Sequence, residues 1–140
     1  MIKTTRWSPD TCKCVMEYEW DDTVAEDQRQ HAFTRVVSKC DYHSGMGEDQ
    51  EHYDHVVHEN NAKNRVHAEI LKNQRLTRVR KNERNEDVTE LAEGVEFQWH
   101  FTGKDRDREL IVQVKGAQLT EQEKQKLKDI KENRKVVRII

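Results

Sequence analysis

No apolar run in this 140-residue sequence approaches the roughly 20 residues that a membrane-spanning helix needs, and its first residues lack the apolar core of a signal peptide. The expectation is a soluble protein made in a cytoplasm, with no membrane among its partners. Apolar residues are scarce throughout, at 34% against 37% charged. That is a thin supply of core, because folding requires buried apolar area to outweigh the entropy of ordering the chain. A metal staple or a partner surface is expected to make up the difference. Phosphate-binding glycine loops, nucleophile motifs, paired catalytic carboxylates and dinucleotide fingerprints are missing. The sequence therefore points away from an enzyme and from a small-molecule substrate. Cysteine is limited to three residues. An odd number, with two of them one residue apart, fits a reducing compartment and metal ligation better than a disulfide framework.

The net charge of -2 hides a division. Residues 1–71 hold 8 Lys/Arg against 14 Asp/Glu, whereas residues 72–140 hold 17 against 13. An acidic and a basic half are suited to different partners, or to each other. The length corresponds to about one domain, or to two very small modules sharing a core. Turn-rich points divide it into residues 1–47, 48–93 and 94–140.

In the first segment, Thr4 to Trp7 reads as a short strand and Ser8-Pro9-Asp10 as a turn. From Val15 to Asp21 the residues alternate, with Met16, Tyr18 and Trp20 on one face and Glu17 and Glu19 on the other, the pattern of a half-buried strand. A polar loop, Asp22 to Gln30, leads to a second strand, His31 to Ser38. An antiparallel hairpin centred near Asp27 sets Cys14 opposite Cys40, Tyr18 opposite Val36 and Glu19 opposite Arg35.

That register brings Cys12, Cys14, Cys40 and His43 together, a Cys3His set of the number and kind that structural zinc takes. Three soft thiolates favour zinc over magnesium or calcium, and iron–sulfur clusters more often take four cysteines. Reduced unligated thiols, and a redox or nucleophilic pair of Cys40 with His43, are the alternatives. The arrangement resembles a zinc ribbon, in which two ligand-bearing knuckles sit at the open end of a β-hairpin. The resemblance covers about residues 10–45, and departs from the ribbon pattern in the single residue between Cys12 and Cys14. The opening, Thr5-Arg6-Trp7-Ser8-Pro9-Asp10-Thr11-Cys12-Lys13-Cys14 followed by Glu17-Tyr18-Glu19-Trp20-Asp21, is also similar to small proteins of bacteriophage and environmental viral sequences. That similarity implies a viral origin, with the host cytoplasm or a virion as the location, and implies no activity.

The middle segment reads as a long polar helix. Glu48, Asp49 and Glu51 suit its N-terminus, and Tyr53, Val56, Val57, Val66, Ile70 and Leu71 form a narrow apolar stripe. Asn60-Asn61-Ala62-Lys63-Asn64 is expected to bend or break it. Arg75, Arg78, Arg80, Lys81 and Arg84 read as its basic end. The six cations Lys72, Arg75, Arg78, Arg80, Lys81 and Arg84 form a candidate nucleic-acid patch. His52, His55 and His58 share a broad helix side, where a polar surface is the simplest reading and a second metal site the sharper one. Asp54-His55, Asn64 and His67 resemble the His-Asn-His order of HNH nucleases, but that fold uses strands where these residues follow a helical pattern.

In the last segment, Val88 to Glu93 reads as a helical turn ended by Gly94. Val95, Phe97, Trp99 and Phe101 alternate strictly with polar residues, the clearest strand in the chain and a core row in preference to a base-stacking platform. Gly103 to Arg108 reads as a soluble hairpin tip, and Leu110 to Lys115 as the returning strand. Thr120-Glu121-Gln122-Glu123 is a capping box for a helix running to about Asn133. Val136, Val137, Ile139 and Ile140 form an apolar tail that either adds a strand beside the 95–115 hairpin or docks on another subunit. The whole reads as an α+β protein: a zinc-ribbon-like β-hairpin, a long central helix and a C-terminal ββα(β) unit. Its expected role is non-enzymatic zinc-dependent structure or assembly through protein subunits. A nucleic-acid-binding regulatory module is the alternative, and an HNH-like nuclease the remote one.

Overall fold

The computed structural model describes residues 1–130 and 136–139. Its strands are β1 (Ile2–Trp7), β2 (Val15–Asp21), β3 (Ala32–Ser38), β4 (Thr77–Lys81), β5 (Asp87–Leu91), β6 (Glu96–Thr102), β7 (Glu109–Lys115) and β8 (Val136–Ile139), and its helices are α1 (Asp49–Leu71) and α2 (Glu121–Lys128). This is the α+β class expected. The chain groups into two compact units, one of Met1–Asn60 with Gly103–Arg108, the other of Asn61–Thr102 with Glu109–Ile140. Among the described residues no helix is long and apolar enough to cross a membrane.

The first unit holds an antiparallel sheet of order β1-β2-β3. Its central strand buries Met16 while Glu17 takes ion pairs from Arg6 and Arg35. The β2–β3 register differs from the sequence expectation. Glu17, not Glu19, lies opposite Arg35, and Tyr18 lies opposite Phe33. The pairing shifts twice, leaving Val37 and Thr34 as extra residues in β3. At the second shift the Thr34 hydroxyl donates to the Glu17 carbonyl at 3.0 Å. The N-terminal half of α1 supplies Val56 and Tyr53 to the core under this sheet, together with Cys14, Met16, Tyr18 and Phe33. Tyr53 stacks on Phe33 at 4.1 Å between centroids.

α1 runs unbroken through Asn60–Asn64, against the expected interruption. The buried positions continue through it as Glu59, Ala62, Lys63, Val66 and Ile70, spaced three and four apart as one helix face requires. A charged Glu59 at a core position disguised that face. The helix then ends at Leu71, well before the cations assigned to its basic end. Arg78, Arg80 and Lys81 lie in β4, and Val88 to Leu91 lie in β5, not in a helical turn. A turn centred on Asn82 joins them: its side chain accepts from the amides of Arg84 and Glu86, and Asn85 takes a left-handed φ of 60°.

In the second unit β6 pairs antiparallel with β7, and β8 adds in parallel on the other side of β7. The apolar tail is thus an intramolecular strand over Val136–Ile139, and Ile140 lies outside the described residues. Buried Ala62, Val66, Ile70, Leu76, Leu110, Val112 and Leu127 form the core, with Phe97, Trp99 and Phe101 packed against it. The capping box is present, with the Glu123 amide donating to Thr120 Oγ1 at 3.1 Å and the Thr120 amide to Glu123 Oε1 at 2.9 Å. α2 stops at Lys128, short of Asn133; residues 131–133 lie outside the described residues.

Candidate metal centre

The four residues singled out in the sequence converge. Cys12 and Cys14 sit on the connection into β2, shaped by a hydrogen bond from the Ser8 hydroxyl to the Cys14 carbonyl at 2.6 Å. Cys40 and His43 follow β3 on a turn closed by the His43 amide and the Cys40 carbonyl at 3.2 Å. The four donor atoms lie within 4.8 Å of one another. Cys14 Sγ is 3.5 Å from Cys40 Sγ and 3.6 Å from His43 Nδ1, and Cys40 Sγ is 3.1 Å from the same nitrogen. Tetrahedral zinc with bonds of about 2.3 Å to sulfur and about 2.0 Å to nitrogen has sulfur–sulfur and sulfur–nitrogen edges of roughly 3.8 Å and 3.5 Å. The spacing therefore suits an ion at the centre with small adjustments. Cys14 and His43 are fully buried, and Cys12 and Cys40 half-buried.

The surroundings fit a metal as well as the donors do. His43 divides its ring: Nδ1 faces the sulfurs, and Nε2 lies 3.0 Å from Glu59 Oε2. A carboxylate on the far nitrogen is the usual orienting partner of a metal-bound histidine. Glu59, 1% exposed on α1, is itself held. Arg108 Nε lies 3.2 Å from Oε2, His55 Nε2 lies 2.9 Å from Oε1, and Arg108 also donates to the Thr11 carbonyl at 3.0 Å. One guanidinium thus ties the knuckle of Cys12 to the carboxylate that orients His43.

Gly103–Arg108 is therefore not the soluble tip expected. The Asp105 amide donates to the Tyr42 carbonyl at 2.6 Å, and Asp105 Oδ1 accepts from the Gly45 amide at 2.9 Å. A Cβ at Gly45 would sit 2.5 Å from the Asp105 carboxylate, so a larger residue there has to displace that side chain. Arg106 pairs with Glu51, and Arg108, 3% exposed, lies over the Tyr42 ring.

The electrostatics follow from burial and these contacts. Burial opposes ionisation of Glu59, yet its close contacts with His43 and His55 and the charge of Arg108 hold its carboxyl down at about 2. Burial likewise opposes protonation of His43, and bonds with Cys14, Glu59 and Cys40 outweigh it, lifting the ring to about 10. The Cys14 thiol is pushed up to about 12, first by its bond with Cys12 and then by burial, while that bond lowers Cys12. The metal-free cluster is thus a set of shared protons, which a bound cation displaces.

His52, His55 and His58 do not form one polar surface. His52 is fully buried, with Nε2 3.1 Å from Cys14 Sγ and Nδ1 without a hydrogen-bond partner among the described residues. Burial, then the charge of His43, lowers its pKa to about 4, which leaves a neutral ring beside the sulfur. His43, His55 and Glu59 also cluster within 4.8 Å, but the Arg108 guanidinium already supplies the positive charge there. The signal for these residues was their spacing: 52, 56, 59, 63, 66 and 70 lie on one face of a helix.

The candidate nucleic-acid residues do not form one helical patch. Lys72 pairs with Glu69, Arg75 with Glu123, Arg78 and Arg80 with Glu90, and Lys81 with Asp87; Arg84 is exposed in the β4–β5 turn. The nuclease-like Asp54, His55, Asn64 and His67 all lie on α1, and His67 stacks on Phe97 at 4.7 Å. No family model, curated protein or solved structure matches this chain.

Proposed function

We propose that Cys12, Cys14, Cys40 and His43 hold one zinc ion as a structural staple, in a non-enzymatic protein that acts through contacts with other protein subunits. The observation that carries the metal reading is the divided ring of His43, with sulfur on one side and an oriented buried carboxylate on the other. Four protein donors complete a tetrahedral shell and leave no position for substrate, which supports a structural role. The ion offsets the thin core, since the first unit buries only three apolar residues in its central cluster, Cys14, Met16 and Val56. Contact with protein subunits is supported by exposed apolar residues of the same unit, Ile2 at 59% and Tyr42 at 56%. Assembly in a phage-type particle rests on the opening sequence alone.

Elemental analysis of the purified protein is expected to return one zinc per chain, and sizing with light scattering an oligomer or a co-purifying subunit. Metal-free protein refutes the zinc reading, and a strict monomer without a partner refutes the assembly reading. The basic segment 72–84 engages carboxylates at five of its six cations, so the nucleic-acid alternative gains no support from its placement.

A further inference from the structure

We propose that this metal centre is an oxidation switch, in which a hydroperoxide reaches Cys40 and Cys14 then closes on it as a disulfide. The inference rests on the zinc reading and adds the regulation of the same site. The shell buries its sulfurs on one side only. Cys14 and His43 are fully buried, whereas Cys12 and Cys40 are half-buried and line an open groove of about 660 Å³ with Thr11, Lys13, Lys39 and Tyr42. Partly exposed sulfurs are the ones that an oxidant in solvent reaches first. A small neutral oxidant enters such a groove without displacing protein.

The contact of Cys14 with Cys40 offers the pair. Cys14 and Cys40 flank the cross-strand pair Val15–Ser38, and their sulfurs stand 3.5 Å apart. A disulfide requires closure to about 2.0 Å, a movement of roughly 1.5 Å. Cys14 is inaccessible to the oxidant itself, shielded in the core and held by the Cys40 amide at 3.3 Å and the His52 ring at 3.1 Å. It is placed to attack a neighbouring sulfur and not to meet peroxide first.

The steps balance. The Cys40 thiolate attacks the terminal oxygen of the hydroperoxide, the O–O bond breaks, and the departing alkoxide takes a proton to become an alcohol, or water when the oxidant is hydrogen peroxide. Cys40 is left as the sulfenic acid. The Cys14 thiolate attacks that sulfur, the S–O bond breaks, and hydroxide leaves and is protonated to water. Two thiolates are oxidised by two electrons, and the peroxide is reduced by two. The donor set falls from four residues to Cys12 and His43, too few for a stable tetrahedral site. The knuckles and the Glu59–Arg108 clasp behind them then lose their common anchor.

The test uses the full-length chain loaded with zinc and treated with hydrogen peroxide, with a chromogenic chelator reporting free zinc. The expected result is loss of one zinc and two thiols per chain, a Cys14–Cys40 disulfide in the peptide map, and recovery of both on adding thiol reductant with zinc. Because serine at any ligand position weakens the site itself, the map is made on the unaltered chain. Retention of zinc at peroxide levels that oxidise its thiols, or oxidation confined to Cys12, overturns the switch and leaves the zinc reading standing. A chain that takes up no zinc before any peroxide is added refutes the zinc reading, and the switch with it.

Discussion

Replacing Glu59 by glutamine keeps the shape of the side chain and removes its charge, at a point where three groups depend on that charge. The carboxylate is 1% exposed and meets His43 at 3.0 Å, His55 at 2.9 Å and Arg108 at 3.2 Å, the last only 3% exposed. Two costs follow. Breaking a buried ion pair by removing one partner typically costs about 3–5 kcal/mol, because the surviving charge stays buried; against a total stability of about 5–15 kcal/mol this is a large fraction. Loss of the orienting carboxylate on a ligating histidine weakens metal binding by about 10- to 100-fold, or roughly 1.4–2.7 kcal/mol. The two are separable. Zinc affinity is read by competition with a chelating dye, and stability by urea unfolding in saturating zinc. Replacing Arg108 by methionine in the same chain removes the stranded cation, so the double variant is expected to lose less stability than the two single losses added together, with a coupling of about 0.5–3 kcal/mol. Recovery should be confined to stability, since His43 still lacks its anion. An E59Q chain with unchanged affinity and unchanged urea midpoint would refute the reasoning.

Thr120→Ala removes one arm of the capping box and is expected to cost about 1 kcal/mol, read as a lower urea midpoint at constant slope; an unchanged midpoint contradicts the role of the box. Glu123 is held at about 2, first by the Thr120 amide and then by bonds with Arg75 and Asn73 that overcome burial. A carboxyl depressed from its ordinary 4.5 stabilises the fold above that pH and loses the contribution as pH falls toward about 2. The stability difference between the unaltered chain and Glu123→Gln should therefore shrink across that window, and a difference independent of pH contradicts the pairing. Arg78→Ala and Arg80→Ala remove exposed ion pairs with Glu90 and are expected to cost under about 1 kcal/mol each. Tight low-salt DNA or RNA binding that these changes weaken would instead restore the nucleic-acid reading.

The legible parts of the sequence were those where one residue type has one strong use. Cys12, Cys14, Cys40 and His43 announced a ligand set, the alternation from Val95 to Thr102 announced β6, and Thr120 with Glu123 announced the start of α2. What stayed hidden came from charges in unusual places and from distance along the chain. Glu59 reads as solvent-facing on any hydropathy scale, and the partners that offset its burial include Arg108, 49 residues away. Arg108 in turn reaches a carbonyl 97 positions distant, beyond any local pattern. β4 and β5 are five residues each and rich in Arg, Lys and Glu, all good helix formers, so their alternation was too short to outweigh propensity. The β2–β3 register shifts twice, at Val37 and at Thr34, and an extra residue in one strand leaves no mark on an alternating pattern.

Zinc content and thermal unfolding, measured on one sample by native mass spectrometry and circular dichroism before and after a strong chelator, bear most directly on the claim that a metal holds the first unit together. The expected result is a mass of the chain plus one zinc, then the bare chain after chelation, with loss of the cooperative melt and its return on adding zinc back. A bare chain from the outset that melts cooperatively, and whose melting neither chelator nor zinc shifts, would contradict it.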